Sequence, residues 1–237
     1  MPQDIQQGCK AQNVRKENTL ADTTLKKQRE FYTIKENNTE EIIEKKSKFI
    51  ANLFYVETVK QAENLIKETK KKYHDARHNC IAYRIVENES IIEKSSDDGE
   101  PSGTAGAPML SILQKNNLNN VLIVVTRYFG GILLGTGGLV RAYSDSLLKA
   151  IENSELILKC EGREANITLD YNSFENFKYY CKNNQIAITN TQYNENIICR
   201  IEAQEDKIEN LVLDYERKKI NLKEIRKLSK KYVVKSI

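Results

Sequence analysis

The chain carries ten glycines, and eight of them (Gly99, Gly103, Gly106, Gly130, Gly131, Gly135, Gly137 and Gly138) fall between residues 99 and 138. Glycine loses the most conformational entropy on ordering, so such a concentration marks backbone that needs positive φ angles or the close approach of another group. Two loops result, SSDDGEPSGTAGAP from Ser95 and FGGILLGTGG from Phe129. Between them runs NVLIVVTRYF, an apolar stretch bounded by Asn-Asn and Gly-Gly, which reads as a central strand buried on both faces. Each Gly-rich loop feeds a helical pattern. The first helix is expected to begin near Gly106 or Ala107 with Pro108 in its first turn, and the second to open at Gly137-Gly138 and bury Leu139, Ala142, Tyr143, Ser146, Leu147 and Ala150.

Around this centre the pattern is mixed. Residues 1–30 are polar and contain no aromatic side chain, the composition of a disordered or loosely helical extension. From Phe31, β-rich ends around an Asn-Asn turn predict two strands. TVKQAENLIKETKKKYH predicts an amphipathic helix capped by Thr58, and NCIAYRIV with ESIIEKS a hairpin turning at Glu87 and Asn88. Beyond the short strand-like LILKCEG, the order strand, helix, strand, strand, helix, strand spans 163–237, a ferredoxin-like βαββαβ arrangement. The fold class is therefore α+β, with an extension over 1–30, a first domain over 31–155 and a second over 163–237.

With 40% hydrophobic and 30% charged residues the chain can bury a core, and no apolar run reaches membrane-spanning length. The first thirty residues lack the apolar core of a secretory signal, and the five cysteines are odd in number and include no CxxC pair, so a cytoplasmic protein without a disulfide framework or zinc ribbon is expected. The net charge of +4 is mild. The lysine runs at 67–73 and 222–235 read as solvated faces, though either can meet a polyanion.

Chemistry is sparse. The chain has two histidines, and His74 with His78 makes at most a pair, so no metal site and no cofactor are expected. Cys80 reads as a small buried hydrophobe rather than a nucleophile paired with His78. The Gly-rich stretch matches neither of the familiar nucleotide-binding fingerprints. Exposed amides at Gly130, Gly131, Gly137 and Gly138, with the guanidinium groups of Arg127 and Arg141, form a candidate anion or nucleic-acid site to which Tyr128 and His78 add rings for stacking. Asp97, Asp98, Glu100, Ser102 and Thr104 read as bracing for the first loop, and the arginines can equally pair with those carboxylates and lock the two loops together.

The segments HNCIAYRI, DDGEPSGTAGAPML and VVTRYFGGILLGTGGLVRAYSDS resemble the hallmark segments of the YigZ/IMPACT family over about residues 31–155, and the βαββαβ pattern is similar to the second domain of its bacterial members. The resemblance implies a first domain like the second domain of a small-subunit ribosomal protein, also seen in elongation factor G, and a second like that factor's last domain. It implies RNA, the ribosome or a translation-factor protein as partner; no membrane partner is expected, since no apolar run is long enough to span one. Eukaryotic relatives regulate translation through partner proteins with an additional N-terminal domain. The leading expectation is a non-enzymatic, translation-associated RNA- or ribosome-binding regulator. Two alternatives stand beside it. One is an enzyme for a small phosphate-bearing ligand held by Gly137, Gly138 and Arg141, with Asp98 or Glu100 as base. The other is a protein-partner adaptor.

Overall fold

The computed structural model describes residues 30–87 and 90–235. The sequence-based expectations for 1–29, and for Asn88 in the hairpin turn, lie outside the described residues. The described chain is α+β, with five helices and two antiparallel sheets.

The first sheet is built from β2 (Asn38–Glu44), β3 (Ser47–Tyr55), β6 (Val121–Tyr128), β4 (His78–Glu87) and β5 (Ser90–Ser96), in that spatial order. β6 is the middle strand and is buried from Val121 to Arg127 because helices cover both faces. On one face Phe49, Ala51, Leu53, Cys80, Ala82, Ile123 and Val125 pack against α2 (Gly106–Lys115) and α3 (Gly135–Glu152). On the other, Ile81, Tyr83, Leu122 and Val124 pack against α1 (Val59–Lys72). The strict alternation assigns each side chain to one layer. Thr58 caps α1: its hydroxyl accepts from Gln61 N, while the Gln61 side chain accepts from Thr58 N, a reciprocal capping box. The buried face of α3 is the expected set of Leu139, Ala142, Tyr143, Ser146, Leu147 and Ala150, although the helix opens at Gly135, one half-turn earlier than the glycine pair suggested.

The second sheet contains β7 (Leu156–Leu169), β9 (Ile197–Gln204), β8 (Ala187–Tyr193) and β10 (Glu224–Val234), with β10 on the opposite edge of β7 from β9. With α4 (Tyr171–Asn183) and α5 (Glu205–Glu216) this gives the βαββαβ order read from the sequence. Its core joins Ala165, Ile167, Leu169, Cys199 and Ile201 to Phe177, Cys181, Ile208 and Leu211 of the helices.

The opening strand β1 (Glu30–Ile34) pairs with β7 in the second sheet rather than joining the first, so the expected 31–155 unit gives its first strand to the other half. Its residues explain why. Phe31 is buried against the Tyr232 ring, centroids 4.9 Å apart, while Ile34 sits in the core beneath α2 and α3. Tyr32 exchanges backbone hydrogen bonds with Asn117 and Asn119, tying the strand to the loop ahead of β6. The Lys159 ammonium adds a second tie, donating to the Tyr55 hydroxyl at 2.6 Å. Among the described residues no helix is long and apolar enough to cross a membrane.

Candidate functional site: a loop rim at one end of the first sheet

Three loops meet where β6 ends: the β2–β3 turn, the 97–104 loop and the Gly-Gly loop after Tyr128. Arg127 and its cross-strand partners His78 and Phe49 lie opposite one another in register, so all three side chains point to the face that these loops cover.

The 97–104 loop folds around its own carboxylates. Asp97 accepts hydrogen bonds from the amides of Gly103, Ala105 and Gly106 at 2.8 to 3.0 Å, capping the start of α2 from a distance. Partial burial pushes its carboxyl up, but the three amide donors outweigh this and hold it below the usual Asp range. Asp98 turns the chain with φ 45° ahead of Gly99 at φ 88°, and accepts from the Asn79 amide at 2.7 Å and the Lys70 ammonium at 2.6 Å. Nδ1 of half-buried His78 lies 3.0 Å from the Asp98 carbonyl oxygen. The Thr104 hydroxyl donates to the Pro101 carbonyl at 2.7 Å, whereas Ser102 is exposed at the tip.

Glu100 reaches inward. It is buried and pairs with the Arg127 guanidinium at 2.7 Å, and the Tyr143 hydroxyl donates to the same carboxylate oxygen at 2.9 Å. The Cys80 thiol donates to the Asp97 carbonyl at 2.9 Å and lies 3.3 Å from the Tyr143 oxygen. Burial pushes the Cys80 thiol up to about 12, which removes it as a nucleophile near neutral pH. Tyr143 is driven up too, first by burial and then by its thiol and carboxylate neighbours. Of the two arginines singled out in the sequence, Arg127 is therefore taken up in an internal link from the first loop to the Ser47 hydroxyl, 3.4 Å away. Arg141 is exposed and has no ion pair among the described residues.

The Gly-Gly loop is seated by contact. A Cβ at Gly130 would collide with the Lys46 carbonyl, and the Gly130 amide donates to the Ser47 hydroxyl at 3.2 Å. Gly131 has φ 84°, Gly137 has open space around it, and a Cβ at Gly138 would stand 3.0 Å from Leu134 Cβ. Tyr128 points away from this group, its hydroxyl donating to Asp75 at 2.7 Å beside the end of α1, which raises the phenol to about 12. The ring that does face the rim is Phe129, 52% exposed, with the Arg127 guanidinium 5.6 Å from its centroid. Ile132 and Leu133 follow it into solvent.

The β2–β3 turn supplies the charge that the sequence did not flag. Lys45 and Lys46 form a two-residue hairpin turn with φ 44° and 65°, are exposed, and have no ion pair among the described residues. Lys149 of α3 donates to the Glu41 carbonyl and Asn153 to Glu40, so α3 runs antiparallel to β2. At about 1.5 Å per helical residue and 3.3 Å per strand residue, Arg141 then lies level with Glu44 and Lys45. The pair KK between two β-rich segments was the available signal, but it contains none of the Gly, Asn or Asp that announce such a turn.

Among the described residues no three His, Cys, Asp or Glu side chains stand together as a metal site. The rim instead offers a half-exposed ring backed by a cation, and three cationic side chains with no ion pair among the described residues. That combination can hold phosphate and stack on a base.

Comparison with known proteins agrees with the resemblance read from the motifs. The family model of the Impact N-terminal domain matches residues 45–151. IMPACT family member YvyE of Bacillus subtilis (strain 168) is 41% identical, covering 70% of this chain and 76% of its own. IMPACT family member YigZ of Escherichia coli (strain K12) is 34% identical, covering 66% and 78%. A crystal structure of a hypothetical protein aligns with TM-score 0.57 and 30% identity over 82% of this chain and 96% of that one. On these relationships, and with the matched residues 45–151 taking in every residue named at the loop rim, the chain belongs to the IMPACT family.

Proposed function

We propose that this protein is a translation-associated regulator that binds RNA, as free RNA or within the ribosome, through the loop rim. The observation that carries the reading is the Lys45-Lys46 turn. A left-handed backbone costs an ordinary residue roughly 1–2 kcal/mol, and Asn-Gly would relax it. The chain instead keeps two exposed lysines there, seated by Gly130 beside Phe129 and level with Arg141. Strain held at a surface turn in exchange for charge points to a ligand for that charge. Lysine and arginine supply phosphate contacts, and Phe129, stiffened from below by Arg127, supplies a stacking surface. The translational context rests on the family resemblance.

The reading assigns the rest of the sequence-derived site to support. Glu100, Asp97, Asp98 and Thr104 brace the first loop, and Arg127 positions Phe129 instead of meeting phosphate. The enzymatic alternative is weakened by the same geometry, because Glu100 is ion-paired and Asp98 is held by Lys70 and Asn79, leaving neither carboxylate as a ready base.

The test is a titration of labelled single-stranded and hairpin RNA at two salt concentrations with wild type, Phe129→Ala and Arg141→Gln. Stacking contributes about 1–3 kcal/mol per base, so Phe129→Ala weakens binding at least fivefold, while Arg141→Gln lowers the salt dependence. Salt-insensitive capture of a protein partner with no RNA binding would favour the adaptor reading.

A further inference from the structure

The second sheet buries one face and leaves the other open. Ala165, Ile167, Cys199 and Ile201 face the helices, so the alternating Asn166 and Arg200 face away. The register sets Asn190 opposite Arg200, Arg200 opposite Asn166 and Asn166 opposite Arg226. One residue from each of β8, β9, β7 and β10 thus falls in a single lateral row, and directly opposed residues share a face. Neighbouring strands are about 4.8 Å apart, which puts the Arg200 and Arg226 backbones roughly 10 Å apart across Asn166. Asn190, Arg200 and Arg226 are exposed, and neither arginine has an ion pair among the described residues.

The carboxylates on this face are placed unequally. Glu164 and Glu202 lie further along β7 and β9 and are both taken by the Lys231 ammonium, at 3.2 and 2.7 Å. Glu224 stands two residues from Arg226 on the same face, the spacing that Glu202 has from Arg200. The row is made of two guanidinium forks and two amides, with no aromatic or large aliphatic side chain of the kind that anchors a protein interface. Guanidinium forks match phosphate oxygens bidentately.

We propose that this row is a second RNA contact, on which the phosphodiester backbone of a single strand lies across the sheet, perpendicular to its strands. It relies on the preceding proposal only for the class of polyanion, since the residues, the sheet and the lobe are different.

The experiment measures binding of a fluorescein-labelled single-stranded oligouridylate by the full chain over a series of potassium chloride concentrations. It compares wild type, Arg200→Gln/Arg226→Gln, Arg141→Gln, and Lys60→Glu on exposed α1 as a control of equal charge change. Each lost phosphate contact reduces the slope of log K against log salt by about 0.7 for a single strand, so the sheet pair is expected to lose about 1.4 while the α1 control holds the wild-type slope. An unchanged slope in the sheet pair, with Arg141→Gln impaired, overturns the second contact and leaves the rim standing. A loss in the sheet pair with Arg141→Gln unaffected keeps the second contact and removes Arg141 from the rim. Equal effects of the sheet pair and the α1 control overturn the row as a site, because net charge alone then explains them. Failure of folded wild type to bind overturns both proposals, and salt-sensitive binding of polyglutamate in its place assigns the row to an acidic protein.

Discussion

Arg127 illustrates how one residue's surroundings decide its work. Its guanidinium is buried between the rings of Phe49 and Phe129 and paired with Glu100, which also accepts from Tyr143. Removing one member of a buried pair leaves an uncompensated charge, so Arg127→Met is expected to cost about 3–5 kcal/mol in urea unfolding, and Arg127→Met/Glu100→Gln less than the sum of the single variants. The sequence supplied both partners but could not select among Asp97, Asp98 and Glu100, because the choice depends on which way each side chain leaves a tightly turned loop. Asp97 has a pH signature. Its folded carboxyl titrates below the unfolded one, so the native protein binds fewer protons than the unfolded chain between the two values. The resulting stability is complete above about pH 4 and drains away as pH falls through the depressed folded value. Asp97→Asn should therefore be less stable than wild type at neutral pH, and the difference should shrink on acidification, as followed by thermal unfolding at stepped pH.

At the scale of elements, the parts with strong local signals were legible. β6 is a bounded apolar run, α3 shows its buried face at helical spacing, and Thr58 with Gln61 spells out a cap. The β2–β3 hairpin was not legible, because Lys45 and Lys46 contradict the turn that they form. That contradiction yields a prediction in which stability and binding move in opposite directions. Replacing Lys45-Lys46 by Asn-Gly should raise stability by about 1 kcal/mol through relief of left-handed strain and weaken RNA binding through loss of two cations. A variant that is more stable and binds RNA as well as wild type would remove the turn from the site. Gly130→Ala should act the other way, costing about 1–3 kcal/mol as its methyl displaces the Lys46 carbonyl.

At the scale of the molecule, the order of elements along the chain gave the βαββαβ half and the α+β class, but not the way the halves are joined. A strand's partner is a non-local fact, and nothing within EFYTI says that it pairs with residues more than a hundred positions later. Phe31 packs against the Tyr232 ring while Ile34 enters the first core, so β1 couples both halves. Phe31→Ala should cost about 3–5 kcal/mol and broaden or split the unfolding transition relative to wild type, as read by calorimetry. The same assembly presents a loop rim from one half and an open sheet face from the other, each with cations that lack partners among the described residues. The measurement that bears most directly on the rim is photo-crosslinking of thiouridine-containing RNA to the full chain, with the attachment sites mapped by mass spectrometry. Crosslinks centred on Phe129 and the adjoining 130–134 loop, lost in high salt, are the expected result; crosslinks that avoid this loop while the protein remains bound to RNA would contradict the assignment.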